Sequence, residues 1–172
     1  MTSKLAIDFE KCTGCGICEL ACSYCHDSQH NPERSRIRVI RNENEGVLYS
    51  VPVVCQQCET PSCKVVCPTR AIMRDVKTDA LIVDPNKCIG CRMCFNSCPI
   101  GGMSVEQNKG TAMKCDLCDG QPRCVEFCPT GALKYSRLDK ISVLKKREEI
   151  GKYFETLKSV AHLLTEERGD GK

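Results

Sequence analysis

Sixteen cysteines stand in four groups of four: Cys12, Cys15, Cys18 and Cys22; Cys55, Cys58, Cys63 and Cys67; Cys88, Cys91, Cys94 and Cys98; and Cys115, Cys118, Cys124 and Cys128. Thiols this dense either cross-link or, as thiolates, bind soft metals. Cross-linking belongs to oxidising compartments, and the opening stretch MTSKLAIDFEKC has no apolar run of signal-peptide length. The sequence therefore predicts a cytoplasmic protein with its thiols on metal, although a signal-bearing partner would still permit export. Structural zinc sites want two well-separated C-x2-C pairs. Here each group is a close triplet followed by x3-C, which leaves a zinc-stabilised adaptor module as the remote alternative.

The third group, CIGCRMCFNSCP, is the C-x2-C-x2-C-x3-C-P run that holds 4Fe-4S clusters in bacterial ferredoxins. The first group matches its spacing but has Ser23 where proline would stand. Groups two and four lengthen only the second gap, to residues 59–62 and 119–123, and keep x3-C-P. In such runs three close thiolates wrap one cube and the fourth reaches another, so the runs come in reciprocal pairs. The pairing is sequential or nested. The 20 residues between Cys67 and Cys88 read as two short strands, 71–76 and 80–84, joined by a polar turn, as ferredoxin halves usually are. That favours nesting, and it gives four clusters. Cys12, Cys15 and Cys18 join Cys128; Cys55, Cys58 and Cys63 join Cys98; Cys88, Cys91 and Cys94 join Cys67; Cys115, Cys118 and Cys124 join Cys22.

Three other readings compete locally. CSYCH, from Cys22 to His26, matches the haem-attachment pattern C-x-x-C-H, but it would leave the fourth cube one thiolate short. Rieske ligation needs paired histidines among the cysteines, and the chain has only His26, His30 and His162. Cys25 is a free thiol beside the first loop, a packed small hydrophobe, or a substitute for Cys22; the x3 spacing speaks for Cys22.

The elements that must position these ligands are short. Residues 4–9 read as a strand entering the first loop and 18–25 as a helix carrying its fourth ligand, with similar helices expected at Cys67, Cys98 and Cys128. After three of them comes one phrase, CPTRAI, CPIGGM or CPTGAL, in which proline stops the helix and a strand begins. Between the first two groups, Arg34, Arg36 and Arg38 alternate with Ile37 and Val39 as in a half-buried strand. Its basic face is either solvated or docks an acidic partner. Lys11, Lys87 and Lys114 each precede a first ligand, either offsetting cluster charge or lying on the surface. Residues 138–167 read as a helix with one apolar stripe, Ile150, Phe154, Leu157, Ala161 and Leu164, packed on its own chain or on another subunit.

The expected fold class is thus α+β, with two nested ferredoxin-like modules of two clusters each. The outer module takes residues 1–54 and 99–136, the inner one 55–98, and 137–172 form a C-terminal helical extension. Composition agrees with a metal-built interior: 17 of 172 residues are cysteine, aromatics make up 5% and tryptophan is absent. No run reaches membrane-spanning length. The formal charge is +3, but four oxidised cubes at about −2 each would bring the loaded protein near −5. That disfavours nucleic acid as a partner, and no aromatic-interleaved basic patch supports one.

Over residues 6–135 the chain resembles the four-cluster ferredoxin-type electron-transfer subunits of molybdenum and tungsten oxidoreductases and related hydrogenase complexes. The phrases that carry this are CTGCGICELAC with NPERSRIRV after it, CQQCETPSCKVVCPTRAI, and KCDLCDGQPRCVEFCPTGAL. Among these it is most similar to the small iron-sulfur subunit accompanying tungsten aldehyde:ferredoxin oxidoreductases. The resemblance implies the same nested ligand sets and a non-catalytic relay of single electrons through four 4Fe-4S clusters. It implies a tungsten- or molybdenum-containing catalytic subunit as partner, a flavin or ferredoxin as donor or acceptor, and room for a homo-oligomer. A hydrogenase, formate dehydrogenase or class II benzoyl-CoA reductase is the alternative partner.

Overall fold

A computed structural model describes residues 3–44, 47–106, 108–137 and 150. The chain divides into two compact units, Met1–Tyr135 and Ser136–Lys172. The helix expected over 138–167 lies outside the described residues.

Most elements of the first unit are three to five residues long. Strand β1 (Ser3–Ile7) leads into the first loop, and helix α1 (Ile17–Asp27) carries Cys18 and Cys22. A long hairpin follows, β2 (Ile37–Asn44) against β3 (Val47–Val54), in register from Ile37 opposite Val54 to Asn44 opposite Val47. Then come α2 (Ser62–Val65), hairpin β4 (Ile72–Arg74) and β5 (Leu81–Val83), α3 (Met93–Asn96), hairpin β6 (Met103–Val105) and β7 (Ala112–Lys114), α4 (Arg123–Glu126) and β8 (Leu133–Arg137). Among the described residues every sheet has two strands: β1 with β8, β2 with β3, β4 with β5, β6 with β7. Helix α1 packs on α4 and α2 on α3.

Three of the helices correct an expectation. Helices α2, α3 and α4 carry the third cysteine of their group and stop before the fourth. The residue preceding a proline is disfavoured in helical conformation, so Cys67, Cys98 and Cys128 are pushed out of the helix by Pro68, Pro99 and Pro129. In the first group Ser23 replaces that proline, and α1 runs past Cys22 to Asp27. Ser23 is fully buried. Its Oγ donates to the Leu20 carbonyl (3.0 Å) and accepts from the Asn31 amide (3.1 Å), fixing the chain as it leaves the helix.

The core is thin and sulfur-rich. One buried cluster joins Leu5, Ile37, Val39, Val54, Leu117 and Leu133 with Cys18, Cys22, Cys55, Cys115 and Cys124; a second joins Ile72, Leu81 and Met103 with Cys94. Among the described residues no helix is long and apolar enough to cross a membrane.

Candidate metal centres

The fourth cysteine of each group is held by backbone amides. Ala71 N–H donates to Cys67 Sγ (3.2 Å) and Gly102 N–H to Cys98 Sγ (3.3 Å), in each case from four residues downstream. Cys128 takes amide bonds from Ala132 and Leu133 in the same manner. This is the physical content of the repeated phrase: proline ends the helix, and the backbone curls so that the N–H of the residue just before the next strand faces the sulfur. Gly102 stands where the other copies have alanine because an added Cβ would lie 2.8 Å from the Cys55 Cα. The first group lacks the phrase, and its amide comes from Arg36, 3.3 Å from Cys22 Sγ.

Burial raises the thiol pKa of Cys18 and Cys115 to about 12, and it also raises Cys63, Cys94 and Cys124. Burial pushes Cys22, Cys67 and Cys128 up as well. Hydrogen bonds outweigh it there, from His26 and Arg36, from Thr69 and Ala71, and from Leu133 and Thr130, and those thiols fall below the ordinary range. Such a set suits a cationic inorganic core, which deprotonates thiols outright.

The structure brings the cysteines together across the groups. One cavity is lined by Cys67, Cys88, Cys91 and Cys94, another by Cys22, Cys115, Cys118 and Cys124. Cys63 lies beside Cys55 and Cys98, and Cys18 beside Cys12 and Cys15. Between these sets, Cys94 neighbours Cys63, Cys115 neighbours Cys55, and Cys124 neighbours Cys18. Cys25 is exposed, with its Sγ within 4.8 Å of a ligand atom of His26 and of Cys118 Sγ. It lines neither cavity.

Of the three arginines expected on one strand face, Arg34 and Arg36 precede β2 and only Arg38 lies in it, and all three pair with acidic side chains. Arg36 donates to Asp116, which also accepts from His26 Nε2 (3.1 Å); His26 Nδ1 donates to the Cys22 carbonyl (2.8 Å). Burial works against charge on this pair, yet their mutual bond and Arg36 hold Asp116 well below the usual carboxylate range, while bonds to Asp116, Cys118 and Cys22 hold the His26 imidazolium. Buried Glu19 accepts from the Val39 amide (3.1 Å) and pairs with Arg38 (3.6 Å) and Arg41 (3.7 Å). Arg34 lies 3.6 Å from Asp27.

The three lysines that precede first ligands separate. Lys11 pairs with Asp8 (2.7 Å) and Lys87 with Asp84 (3.5 Å), both part-exposed surface pairs. Lys114 is 3% exposed, and its Nζ donates to the carbonyls of Leu81 and Cys115. Among the described residues it has no carboxylate partner. A buried ammonium without an anion costs several kcal/mol, so an anionic group among the neighbouring thiols fits the site. Gln57, 1% exposed and missed by the sequence reading, sits beside it. Its Nε2 donates to the Cys115 carbonyl (2.7 Å), and its Oε1 accepts from the Leu81 amide (2.7 Å). Only its place between Cys55 and Cys58 hinted at a role.

Comparisons with known proteins agree with this chemistry. A 4Fe-4S dicluster domain matches residues 46–138, and a 4Fe-4S binding domain matches 3–24. The polyferredoxin-like subunit of the aliphatic sulfonate oxidoreductase of Pyrococcus furiosus is 43% identical over 69% of this chain and 67% of its own. A candidate electron transport protein of Escherichia coli K12, YsaA, is 37% identical over 87% of this chain and 99% of its own. The beta subunit of NADH-dependent phenylglyoxylate dehydrogenase from Aromatoleum evansii is 37% identical over 77% of this chain, which spans only 30% of that subunit. The B subunit of the anaerobic dimethyl sulfoxide reductase of Escherichia coli K12 is 37% identical over 78% of this chain and 73% of its own. Among solved structures, the BamBC active site complex of benzoyl-CoA reductase with 1,5-dienoyl-CoA is 30% identical over 78% of this chain and 75% of its counterpart there, with a TM-score of 0.47. The protein belongs to the 4Fe-4S dicluster domain family, as an iron-sulfur electron-transfer subunit of oxidoreductases and not a catalytic one.

Proposed function

We propose that the protein relays single electrons for a tungsten- or molybdenum-containing catalytic subunit that oxidises aldehydes, holding four 4Fe-4S clusters in the nested ligand sets given above. All-cysteinyl cubes supply one-electron transfer and leave no coordination position for substrate. The observation that carries the ligand sets is the pair of four-thiol cavities, each drawing its fourth cysteine from another group. The neighbouring thiols of adjacent sets support an order in which the Cys12 set meets the Cys115 set, then the Cys55 set, then the Cys88 set. The polypeptide's part in this is to hold sulfur, to point amide N–H groups at it, and to keep water away from the buried thiols.

The aldehyde substrate rests on the sequence phrases alone. A second reading keeps the relay and changes the partner to a reductase, which the match to the dimethyl sulfoxide reductase subunit favours. Anaerobic purification from the native host tests both parts. The relay reading expects about sixteen irons per polypeptide, one cube's worth lost in Cys22→Ala and none in Cys25→Ala. Far fewer irons in the unaltered protein would overturn it. Tungsten and an aldehyde-dependent dye reduction in the co-purified complex would support the aldehyde partner, and sulfoxide-dependent turnover would replace it.

A further inference from the structure

Lys114 offers an inference about how the relay is tuned, and it rests on the ligand sets proposed above. Its backbone closes β7 next to Cys115, while its Nζ reaches across to β5 at the Leu81 carbonyl. The same ammonium lies close enough to Cys63 to stabilise that thiolate. The charge therefore stands between the second and fourth cysteine groups, where Cys115 and Cys55 are neighbours. Its hydrogen bonds go to carbonyls, which neutralise nothing. Gln57 braces the same spot by bonding to the Cys115 carbonyl and the Leu81 amide, so the ammonium cannot swing out without breaking a buried network.

A positive charge in a low-dielectric interior favours whichever neighbouring group gains negative charge, and its effect falls with distance. Each cube becomes more negative on reduction by one electron. We propose that Lys114 is a positioning residue that raises the reduction potentials of the two central clusters, those of Cys55, Cys58, Cys63 and Cys98 and of Cys22, Cys115, Cys118 and Cys124. An electron entering at either outer cluster then finds its favoured place in the middle, where the two halves of the relay meet. Lys11 and Lys87 cannot do this, because their charges are paired with aspartates at the surface.

The test is a redox titration of the holoprotein followed by low-temperature electron paramagnetic resonance, with iron counted in every sample. Lys114→Met and Lys114→Gln should move two of the four midpoints to more negative potential and leave the other two in place, whereas Lys114→Arg should keep all four near their original values. Four unchanged midpoints, or one uniform shift of all four, in neutral variants with full iron content would overturn the proposal. If the neutral variants lose two cubes and Lys114→Arg keeps about sixteen irons, charge is again the operative property. Equal loss in all three variants makes Lys114 a packing residue and overturns the assignment. Iron well below that count in the unaltered protein would instead fault the cluster reading itself.

Discussion

Gln57 shows how much a single neutral side chain can organise around the proposed metal ligands. It sits at a φ of 51°, in the left-handed region that most residues avoid, and from there it joins the loop of the second cysteine group to the strand before the third and to the first ligand of the fourth. Leucine at this position would fill much of the volume but leave the Leu81 amide without its partner and the Cys115 carbonyl with only the longer bond from Lys114 Nζ (3.3 Å). Each buried group so stranded costs about 1–3 kcal/mol. Gln57→Leu should accordingly lower the guanidinium midpoint of the anaerobic holoprotein, and an unchanged midpoint would show that water or another group takes over both bonds. None of this was legible in the sequence. The partners of Gln57 lie 24 and 58 residues away, and neither spacing nor composition carries contacts made only after the loops are folded. The same holds for Arg36, whose bond to Asp116 spans 80 residues.

At the scale of elements, most of what could be read was local, and for a physical reason. The cysteine triplets, the proline that ends each short helix and the strand after it are all specified within a dozen residues, so the hairpin of β4 and β5 and the three short helices follow from sequence, and only the side of the fourth cysteine on which each helix stops needed the structure. The exception is α1, where one substitution changes the element. Position 23 is interior to this helix, with five more helical residues beyond its neighbour Cys22. A proline there would remove a helical amide, clash with the preceding turn and abolish both Ser23 hydrogen bonds, at about 3 kcal/mol or more for the backbone alone. Ser23→Pro would thus restore the ferredoxin-like motif while damaging the fold. It should give a holoprotein with a lower unfolding midpoint and weakened retention of the cube proposed to use Cys22, whereas Ser23→Ala, which keeps the helix, should retain iron. Equal iron retention and stability in Ser23→Pro would mean that α1 can end at Cys22 without penalty.

For the molecule as a whole, the question is what keeps such small pieces in place. Four-residue helices are far below the length at which a helix is stable by itself, and two-stranded sheets are marginal in water. Packing offers little relief, since 6 of the 18 buried core residues among those described are cysteines, which as the proposed cluster ligands would contribute far more than as small hydrophobes. Burial raises Cys18 and Cys115 to about 12 and lifts Cys124 as well, so without metal they would stay protonated and lack strong partners. Metal binding and folding are then one event, as in other small metal-built domains. Removing iron anaerobically with a chelator and reductant present should abolish cooperative thermal unfolding and most of the far-ultraviolet circular dichroism of residues 3–137. Iron and sulfide returned under the same conditions should restore both. A metal-free protein that still melts cooperatively would mean that the two buried clusters around Ile37 and Leu81 are a sufficient core, and that the cubes are guests in a scaffold already formed.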